Sequence, residues 1–335
     1  MGPFLSAPNK TKNSFDNENS LIRFGSCGMQ GWRNRMEDAH ISDIDLGPNK
    51  QFALFGVFDG HGGKEVAQFV KLHFTQELLA NTNFKTGNIK QALTETFLMM
   101  DRLMRDQKGK SELAVIAKKS KEEDEEQQKN SNNKMDSMYS QLMGQKSDDQ
   151  IALNTGCTAC ICLIDTSKKE IYFANAGDSR VVLCKKGIAY PMSIDHKPEL
   201  DIEKNRIYKA GGWISEGRVK GNLNLSRGLG DLEFKGNEKL PPEEQMITAN
   251  PDIIVEKLDK DCDFIILGCD GIWDCLTNQE ACDYVKNELT IAGNENIKLS
   301  SILEKMLDSI CATDIYNETG VGCDNMTCLI VQFKK

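Results

Sequence analysis

The sequence predicts an α+β domain built on a β-sandwich, and three observations favour this fold class. Short apolar runs of strand length recur along the chain and are joined by turn-forming residues. The amphipathic segments, whose apolar residues follow a 3.6-residue period, fall into two groups and do not alternate with single strands. No internal repeat is evident. This order argues against a parallel βαβ sheet and indicates antiparallel strands covered by helices.

The chain of 335 residues is long enough for two domains or for one large domain with an insertion. A net charge of −9 and a pI near 5.2 argue against a nucleic-acid-binding protein. No apolar stretch reaches the ~18 residues needed to span a bilayer, and the N-terminus lacks the apolar centre of a signal peptide. We therefore expect a cytoplasmic protein.

The first six residues fit the pattern for N-myristoylation, with Gly2 as the acylated residue. A proline at position 3 works against acylation, and a single acyl chain would give only weak membrane association. Residues 1–20 are otherwise polar, so a flexible N-terminus is expected there.

The first ordered elements surround the stretch FALFGVFDGHGG, residues 52–63. Its apolar part predicts a buried strand over 52–58, closed by Asp59. The glycines that flank His61 allow a sharp turn and a close approach of a ligand. An amphipathic helix follows over 64–80, and a second helix runs through 89–104.

Residues 107–150 are predicted to form a polar, exposed and partly disordered insertion, because much of this segment lacks apolar periodicity. The later elements are short strands, helices and one long irregular flap at about 212–247. They are strands at 158–165, 170–175 and 180–185, a helix at 200–210, a strand at 263–268, helices at 278–286 and 299–310, and a last strand that opens with Asp324.

Acidic residues stand out beside the apolar strands. They are Glu37, Asp38, Asp59, Asp270 and Asp324. In a sandwich such residues can meet at one end, where unpaired carboxylates repel each other and raise each other's pKa values. A pair of divalent cations relieves this repulsion, and oxygen ligands select Mg²⁺ or Mn²⁺ over zinc. Two such ions are typical of phosphoester hydrolysis. The alternative is that each acid caps its own turn.

Seven segments carry a resemblance to a known family. They are QGWRNRMEDAH at 30–40, FGVFDGHGG at 55–63, NAGDSR at 175–180, DHKP at 195–198, LSRGLGD at 225–231, FIILGCDGIWD at 264–274 and DNMT at 324–327. In this order and over residues 21–335, they resemble the type 2C (PPM) family of metal-dependent protein Ser/Thr phosphatases. The resemblance implies a central sandwich of two antiparallel sheets flanked by pairs of α-helices.

The resemblance also implies a set of metal-binding residues. Asp59 would bridge two Mn²⁺ or Mg²⁺ ions, and Gly60 would offer its backbone carbonyl to one of them. Asp270 and Asp324 would bind the other ion. Glu37 and Asp38 would hold metal-bound waters. Many family members carry an aspartate for a third metal where this chain has Leu153, which places that third site in doubt.

Two further residues acquire catalytic roles through the resemblance. Arg33 would grip the phosphate, because a planar guanidinium suits two oxygens at once. His61 would protonate the departing Ser/Thr oxygen after a metal-bound hydroxide attacks phosphorus in line. The expected partners are phosphorylated proteins, and a monomer is expected.

Other motif residues are interpreted as structural. Asp178 and Asp195 are expected to act as turn and cap residues, and His196 is expected to brace the second of these turns. Asp231 is expected to cap its loop. Twelve cysteines, several of them inside apolar strands, are interpreted as buried packing residues and not as a disulfide framework or zinc site.

Two rival interpretations remain open from the residues. Cys27 to Arg33 satisfies C-x5-R, the signature of cysteine phosphatases, which need a low-pKa thiolate at a strand-to-helix loop. The other rival is a non-catalytic scaffold that binds phosphoproteins on the same fold. Such a protein is expected to lose metal-site acids, but Asp59, Asp270 and Asp324 are all present.

Overall fold

Two antiparallel sheets packed face to face occupy the centre of the molecule. The structure is a computed structural model, and it describes residues 4–130, 148–293, 297–315 and 320–334. The side chains of residues 124–130, 148 and 149 are outside this description, as is Gly2, the residue expected to be acylated. The six-stranded sheet has the spatial order β1 (Phe4–Glu18), β2 (Ile22–Arg33), β16 (Met326–Phe333), β15 (Cys262–Gly268), β9 (Arg180–Lys185) and β10 (Ile188–Pro191). The five-stranded sheet has the order β14 (Asp252–Lys257), β8 (Glu170–Ala176), β7 (Ala159–Asp165), β4 (Phe52–Phe58) and β3 (Ala39–Leu46).

Two smaller sheets complete the β structure of the described residues. One contains β5 (Gly60–His61), β6 (Gly156–Cys157) and β13 (Leu229–Gly230), and the other is a hairpin of β11 (Ile214–Ser215) and β12 (Arg218–Val219). The hairpin and β13 lie in the flap predicted at about 212–247.

The strand β4 is buried on both faces, which explains its continuous apolar sequence. Phe55 and Val57 belong to the core between the two sheets, whereas Leu54 and Phe58 belong to the core beneath the helices. The ring of Phe55 meets that of Phe24 from β2 edge to face, with 5.2 Å between the centroids. This contact joins the two sheets directly.

Helices cover both outer faces of the sandwich. Over the five-stranded sheet lie α1 (Glu65–Ala80), α2 (Thr82–Lys85), α3 (Ile89–Arg105) and α4 (Gln107–Asn130). Over the six-stranded sheet lie α7 (Asn278–Ile291) and α8 (Leu299–Ile310), while α5 (Asp201–Lys209) and α6 (Asp270–Trp273) are short. The predicted fold class, an α+β sandwich flanked by helices, is confirmed. No described helix has the length and hydropathy to span a bilayer.

The N-terminal segment differs from the flexible tail expected for residues 1–20. Phe4–Glu18 forms the edge strand β1, paired with β2 through two irregularities in register. Several of its partly buried side chains are polar, and two of them bond to α8. Asp16 accepts a hydrogen bond from the Ser300 amide at 2.9 Å, and Lys12 pairs with Asp308 at 2.7 Å. Because these partners are 284 and 296 residues away, apolar periodicity could not reveal the strand.

The segment 107–150 also differs from the expected exposed insertion. Its first part forms α4, which packs on α1 and α3 through Leu113, Ala117 and Ser120, all of them buried. These positions follow the i, i+4, i+7 spacing of a helix face. The highly charged sequence that follows concealed this short apolar stripe. Residues 131–147 lie outside the described residues.

Strand β2 was not predicted, because three glycines and several polar residues interrupt its sequence. Gly25 accounts for one interruption. A Cβ there would lie 2.6 Å from the Leu299 carbonyl carbon and 2.7 Å from the Leu299 Cβ, so α8 rests directly on the strand backbone. The glycine therefore marks a close approach of two elements and not a turn.

Candidate metal centre

Several strands have an acidic residue next to one of their ends in the chain, and these strand ends lie together at one end of the sandwich. In the five-stranded sheet Phe58, at the end of β4, pairs with Ala39, at the start of β3. In the six-stranded sheet Gly268, at the end of β15, pairs with Cys328, near the start of β16. Antiparallel order thus places the end of one strand beside the start of its neighbour. The residues just beyond these ends include Asp38, Asp59, Asp270 and Asp324.

The carboxyl groups at this end raise each other's pKa values. Burial raises the pKa of Asp59 well above its usual range, and neighbouring carboxylates raise it further. These neighbours are Asp270, Asp38, Asp324 and Asp178. Burial likewise raises the pKa of Asp270 well above its usual range, with Asp178 and Asp324 adding to the effect. The structure therefore brings together the four aspartates that the sequence analysis singled out.

Asp38 is the most buried of the four, with 5% of its surface exposed. Burial raises its pKa to about 7, and the charge of Asp324 adds to the rise. Thr327 and Cys269 are polar neighbours that oppose this rise. Neither completes a hydrogen bond of good geometry, so both carboxyl oxygens of Asp38 are buried without a partner among the described residues. A buried carboxylate in this state is costly unless a cation binds it.

These oxygens suit a hard divalent cation. Donor atoms of Asp38, Asp59 and Cys269 lie within 4.8 Å of one another. Burial raises the pKa of the Cys269 thiol well above its usual range, so the sulfur stays protonated and is a poor ligand. It is also engaged elsewhere, since it accepts from the Thr327 amide at 3.2 Å. Carboxylate oxygens are thus the available ligands, and they favour Mg²⁺ or Mn²⁺.

Arg33 ends β2 at the edge of the acidic cluster. Its Nη2 lies 2.5 Å from Asp324 Oδ2, and 40% of its side chain remains exposed. Although burial by itself would lower the pKa of Arg33, the charge of Asp324 and their hydrogen bond raise it. The guanidinium thus faces both the carboxylates and solvent.

Asn325, which the sequence analysis did not single out, fixes the loop that carries Arg33 and Glu37. Its Nδ2 donates to the carbonyls of Gln30 at 2.8 Å and Arg35 at 2.9 Å, while its Oδ1 accepts from the Glu37 amide at 2.9 Å. An amide side chain can both donate and accept, which suits this double role. The asparagine in DNMT at 324–327 was the available signal.

Glu37 and Gly60 are in close contact. A Cβ at position 60 would collide with the Glu37 carbonyl oxygen and lie 3.0 Å from its carbonyl carbon, so only glycine fits. Burial raises the pKa of Glu37, and the charges of Arg35 and His61 oppose the rise. Glu37 precedes Asp38 and Gly60 follows Asp59 in the chain, so both predicted residues adjoin aspartates of the acidic cluster.

Thr158 holds Asp59 in place from β6 and β7. The Asp59 amide donates to Thr158 Oγ1 at 3.0 Å, and the Thr158 amide donates to the Asp59 carbonyl at 2.9 Å. The Thr158 hydroxyl also bonds to Ser179 Oγ at 2.7 Å. Two hydrogen bonds with Thr158, one through its amide and one through its hydroxyl, thus fix the backbone of Asp59 at the end of β4.

His61 bonds to Asp231, which corrects the interpretation of Asp231 as a loop cap. Nε2 of His61 lies 2.9 Å and 2.8 Å from the two carboxylate oxygens of Asp231. Burial by itself would lower the pKa of His61, but the charge and hydrogen bond of Asp231 outweigh it and raise the pKa. Because the partners are 170 residues apart, no sequence spacing could show this pair.

Asp178 and Asp274 join the cluster, although the sequence analysis gave neither of them a role there. Asp178 is buried and pairs with Lys197, so it acts as an ion-pair partner and not as a turn cap. Burial raises the pKa of Asp274; Lys197 opposes the rise and Asp178 adds to it. Leu153 is half-buried and packs against the core beneath the helices, so it brings no ligand to the cluster.

The segment 195–198 is bonded to residues 177 and 180, which lie close to Asp178 of the cluster in the chain. Asp195 accepts two hydrogen bonds from Arg180, at 3.0 Å and 2.7 Å, so it too serves as an ion-pair partner and not as a cap. His196 braces its turn as predicted, accepting from the Gly177 amide at 3.2 Å. Its Nε2 lies 3.1 Å from Asp252 Oδ2.

The geometry contradicts the cysteine-phosphatase interpretation. Cys27 is completely buried within β2, so it does not stand at a strand-to-helix loop. Burial raises its pKa to about 11, which leaves the thiol protonated at neutral pH. All of the cysteines except Cys275 are buried, which agrees with their interpretation as packing residues.

Comparison with known proteins gives a consistent result. The model of the family "Protein phosphatase 2C" matches residues 22–115 and 104–318. "Probable protein phosphatase 2C 21" of Arabidopsis thaliana is 45% identical, with 100% of this chain and 93% of that protein covered. "Probable protein phosphatase 2C 4" of Paramecium tetraurelia is 44% identical, with 100% and 99% covered. The crystal structure of a phosphatase from Toxoplasma gondii shares the fold, with a TM-score of 0.69 and 22% identity over 96% of both chains.

Proposed function

The chain belongs to the protein phosphatase 2C family and is a metal-dependent protein serine/threonine phosphatase, and we propose how its residues divide the reaction. The relatives named above are phosphatases by name, and none of them supports a non-catalytic scaffold. The substrates of this activity are phosphoproteins.

Asp59, Asp270, Asp324 and the carbonyl of Gly60 would hold two divalent ions, Mn²⁺ or Mg²⁺, and Glu37 and Asp38 would hold waters around them. The observation that carries this proposal is that the two oxygens of the buried Asp38 carboxyl, beside Asp59, have no hydrogen-bond partner among the residues that the structure describes. When bound, such ions supply a nucleophile at neutral pH and positive charge opposite the phosphate. A third ion is not proposed, because Leu153 offers no ligand.

Arg33 would hold the phosphoryl group. The guanidinium is partly exposed at the edge of the carboxylate cluster, and its pairing with Asp324 aims it at the cluster. Arginine can bind two phosphoryl oxygens at once and so fix the orientation of phosphorus. It thereby positions the ester bond for attack from the opposite side.

His61 would give a proton to the departing serine or threonine oxygen. Asp231 favours the protonated imidazole, which a proton donor needs. Because Nε2 is engaged by Asp231, the proton available to the substrate is on Nδ1. Proton donation matters for an alkoxide, which is a poor leaving group without a proton.

The proposal is tested by phosphate release from a phosphothreonine peptide with Mn²⁺ or Mg²⁺, and then with EDTA. Activity is expected to need the metal and to fall by at least ~10³-fold in Asp59→Asn, as expected on loss of a metal-centred step. Asp165→Asn is the matched control, since Asp165 is a buried strand-end aspartate at the other end of β7. Activity that survives EDTA, or an unchanged Asp59→Asn enzyme, would overturn the assignment.

The remaining expectations concern location and assembly. N-myristoylation of Gly2, a cytoplasmic location with weak membrane association, and a monomeric state are carried forward as proposals from the sequence. Mass spectrometry of the N-terminus tests the first of these directly.

A further inference from the structure

The turn that carries Asp231 has an unfavourable backbone conformation. Gly230 and Asp231 are consecutive residues with positive φ angles, +77° and +49°. For aspartate the left-handed region is costly and needs external support. Gly230 also has no room for a side chain, since a Cβ would lie 2.5 Å from the Thr155 carbonyl oxygen. The position of the Asp231 carboxylate therefore depends on what holds this turn.

One side of the turn is held by the small sheet. Leu229 pairs with Cys157 and Gly230 with Gly156, and the Asp231 amide donates to the Thr155 carbonyl at 3.0 Å. On the far side of β6, His61 also pairs with Gly156. The strand β6 thus lies between the histidine and the turn that supplies its partner.

The other side of the turn is held by a buried carboxylate from α3. Asp101 Oδ1 accepts a hydrogen bond from the Gly230 amide at 2.9 Å, and Asp101 Oδ2 accepts one from Lys235 Nζ at 2.6 Å. The same ammonium donates to the Gly228 carbonyl at 2.7 Å. Asp101 and Lys235 are 9% and 7% exposed. The pair therefore clamps the segment 228–235 at both ends of the turn, within the protein interior.

We propose that Asp101, with Lys235, is a positioning residue for the proton donor His61. Asp101 holds the Gly230 amide and so fixes the left-handed turn. This turn places the Asp231 carboxylate, which orients His61 through Nε2. This inference rests on the proposed role of His61. Among the described residues, the side chain of Asp101 bonds to Gly230 and Lys235 and not to a candidate metal ligand, so its effect is expected at the proton-transfer step.

The dependence on the leaving group provides a selective measurement. A phosphothreonine peptide releases an alkoxide that requires a proton, whereas p-nitrophenyl phosphate releases a stabilised phenolate that does not. Asp101→Asn places a second donor against the Lys235 ammonium and loosens the clamp. We expect kcat for the peptide to fall by roughly tenfold or more, with little change for p-nitrophenyl phosphate.

The comparison with His61→Gln separates this inference from the proposed function. If His61→Gln slows the peptide selectively, the proton-donor role stands, and adding Asp101→Asn to it should have no further effect. If His61→Gln slows both substrates equally, the proton-donor role itself fails. If His61→Gln is selective but Asp101→Asn is silent, or slows both substrates equally, only the positioning role is overturned.

A second variant tests whether the effect of Asp101→Asn arises only because the protein unfolds. Asp101→Leu with Lys235→Met removes both buried charges together, which preserves a packed interior better than leaving one charge alone. It still deprives the Gly230 amide of its acceptor, so the same selective loss is expected. Asp165→Asn, a buried aspartate bonded to Ser167 and the Lys168 amide, serves as the control and should slow neither substrate selectively.

Discussion

Asp38 is a single residue whose ionised side chain is unfavourable in the folded protein unless a cation binds it. Its carboxyl group is buried, lacks hydrogen-bond partners among the described residues, and has a pKa of about 7 because of burial. A folded-state pKa above the unfolded value of 3.8 means that the folded chain binds the proton more tightly. The cost of ionising the group is therefore absent below about pH 4 and grows as the pH rises towards 7.

This cost predicts how Asp38→Asn changes stability in the absence of metal. In EDTA at pH 8 the variant should be more stable than the parent, because the amide cannot ionise. At ~1.4 kcal/mol per pH unit, the gain is on the order of 4 kcal/mol at most. Near pH 4.5 the difference in stability should shrink to about 1 kcal/mol. Thermal denaturation at both pH values checks this, and an equal stability difference at both would contradict it.

Gly156 is a second residue at which one atom matters. A Cβ at this position would collide with Asp231 Oδ2 and come within 2.7 Å of His61 Nε2. Gly156→Ala should therefore break the His61–Asp231 pair and lower kcat for a phosphothreonine peptide by about 10²-fold.

Gly236→Ala is the matched control for that substitution. A Cβ at Gly236 would have no described atom within 4 Å, and the φ of −98° at this position suits alanine. This variant should retain the parent activity in the same assay. Equal activity in the two variants would show that the contact of His61 with Asp231 is dispensable.

At the scale of elements, β1 contributes to the fold by capping a helix. The helix α8 has no cap from its own N-terminal residue, and Asp16 accepts the Ser300 amide in its first turn instead. A carboxylate at a helix N-terminus satisfies a free amide and opposes the helix dipole. The edge strand thus contributes a polar contact to the first turn of α8.

Asp16→Ala should lower the free energy of unfolding by about 1–2 kcal/mol, the usual value of a lost cap. Metal-dependent activity should be unchanged, because the contact is remote from the acidic cluster. Urea denaturation measures the difference. Asn13→Ala, on the exposed side of the same strand, is the control and should be neutral. A neutral Asp16→Ala would mean that β1 does not stabilise α8.

At the scale of the whole molecule, the candidate metal centre depends on how the two sheets pack. Asp38 and Asp59 adjoin the five-stranded sheet, whereas Asp270 and Asp324 adjoin the six-stranded sheet. The core between the sheets, including the contact of Phe24 with Phe55, therefore sets the distance between the two halves of the site.

Phe55→Ala should cost about 3–5 kcal/mol of stability and should also weaken Mn²⁺ binding. The second effect follows because the cavity lets the sheets shift relative to each other. Denaturant titration and the Mn²⁺ dependence of the melting temperature measure both effects. Leu72→Ala, at a largely exposed position of α1, is the control. Unchanged Mn²⁺ affinity in a destabilised Phe55→Ala would show that the site holds its own geometry.

The sequence by itself determined the fold class, the central strands β4, β7, β8, β9, β15 and β16, most of the longer helices, and the acids expected at the strand ends. Apolar periodicity is local, so β4, α1 and α3 could be predicted from their own residues. The resemblance over seven segments identified the family, which the comparisons confirm. Asp59, Asp270 and Asp324 stood out because each adjoins an apolar strand.

Only the tertiary structure decided which residues meet across long separations. The pairs Asp231 with His61, Asp101 with Lys235, and Asp16 with Ser300 join residues more than a hundred positions apart. Polar contacts of this kind leave no period in the sequence, because each partner is chosen by geometry and not by its neighbours in the chain. Burial, which sets the pKa of Asp38, likewise exists only once both sheets have packed.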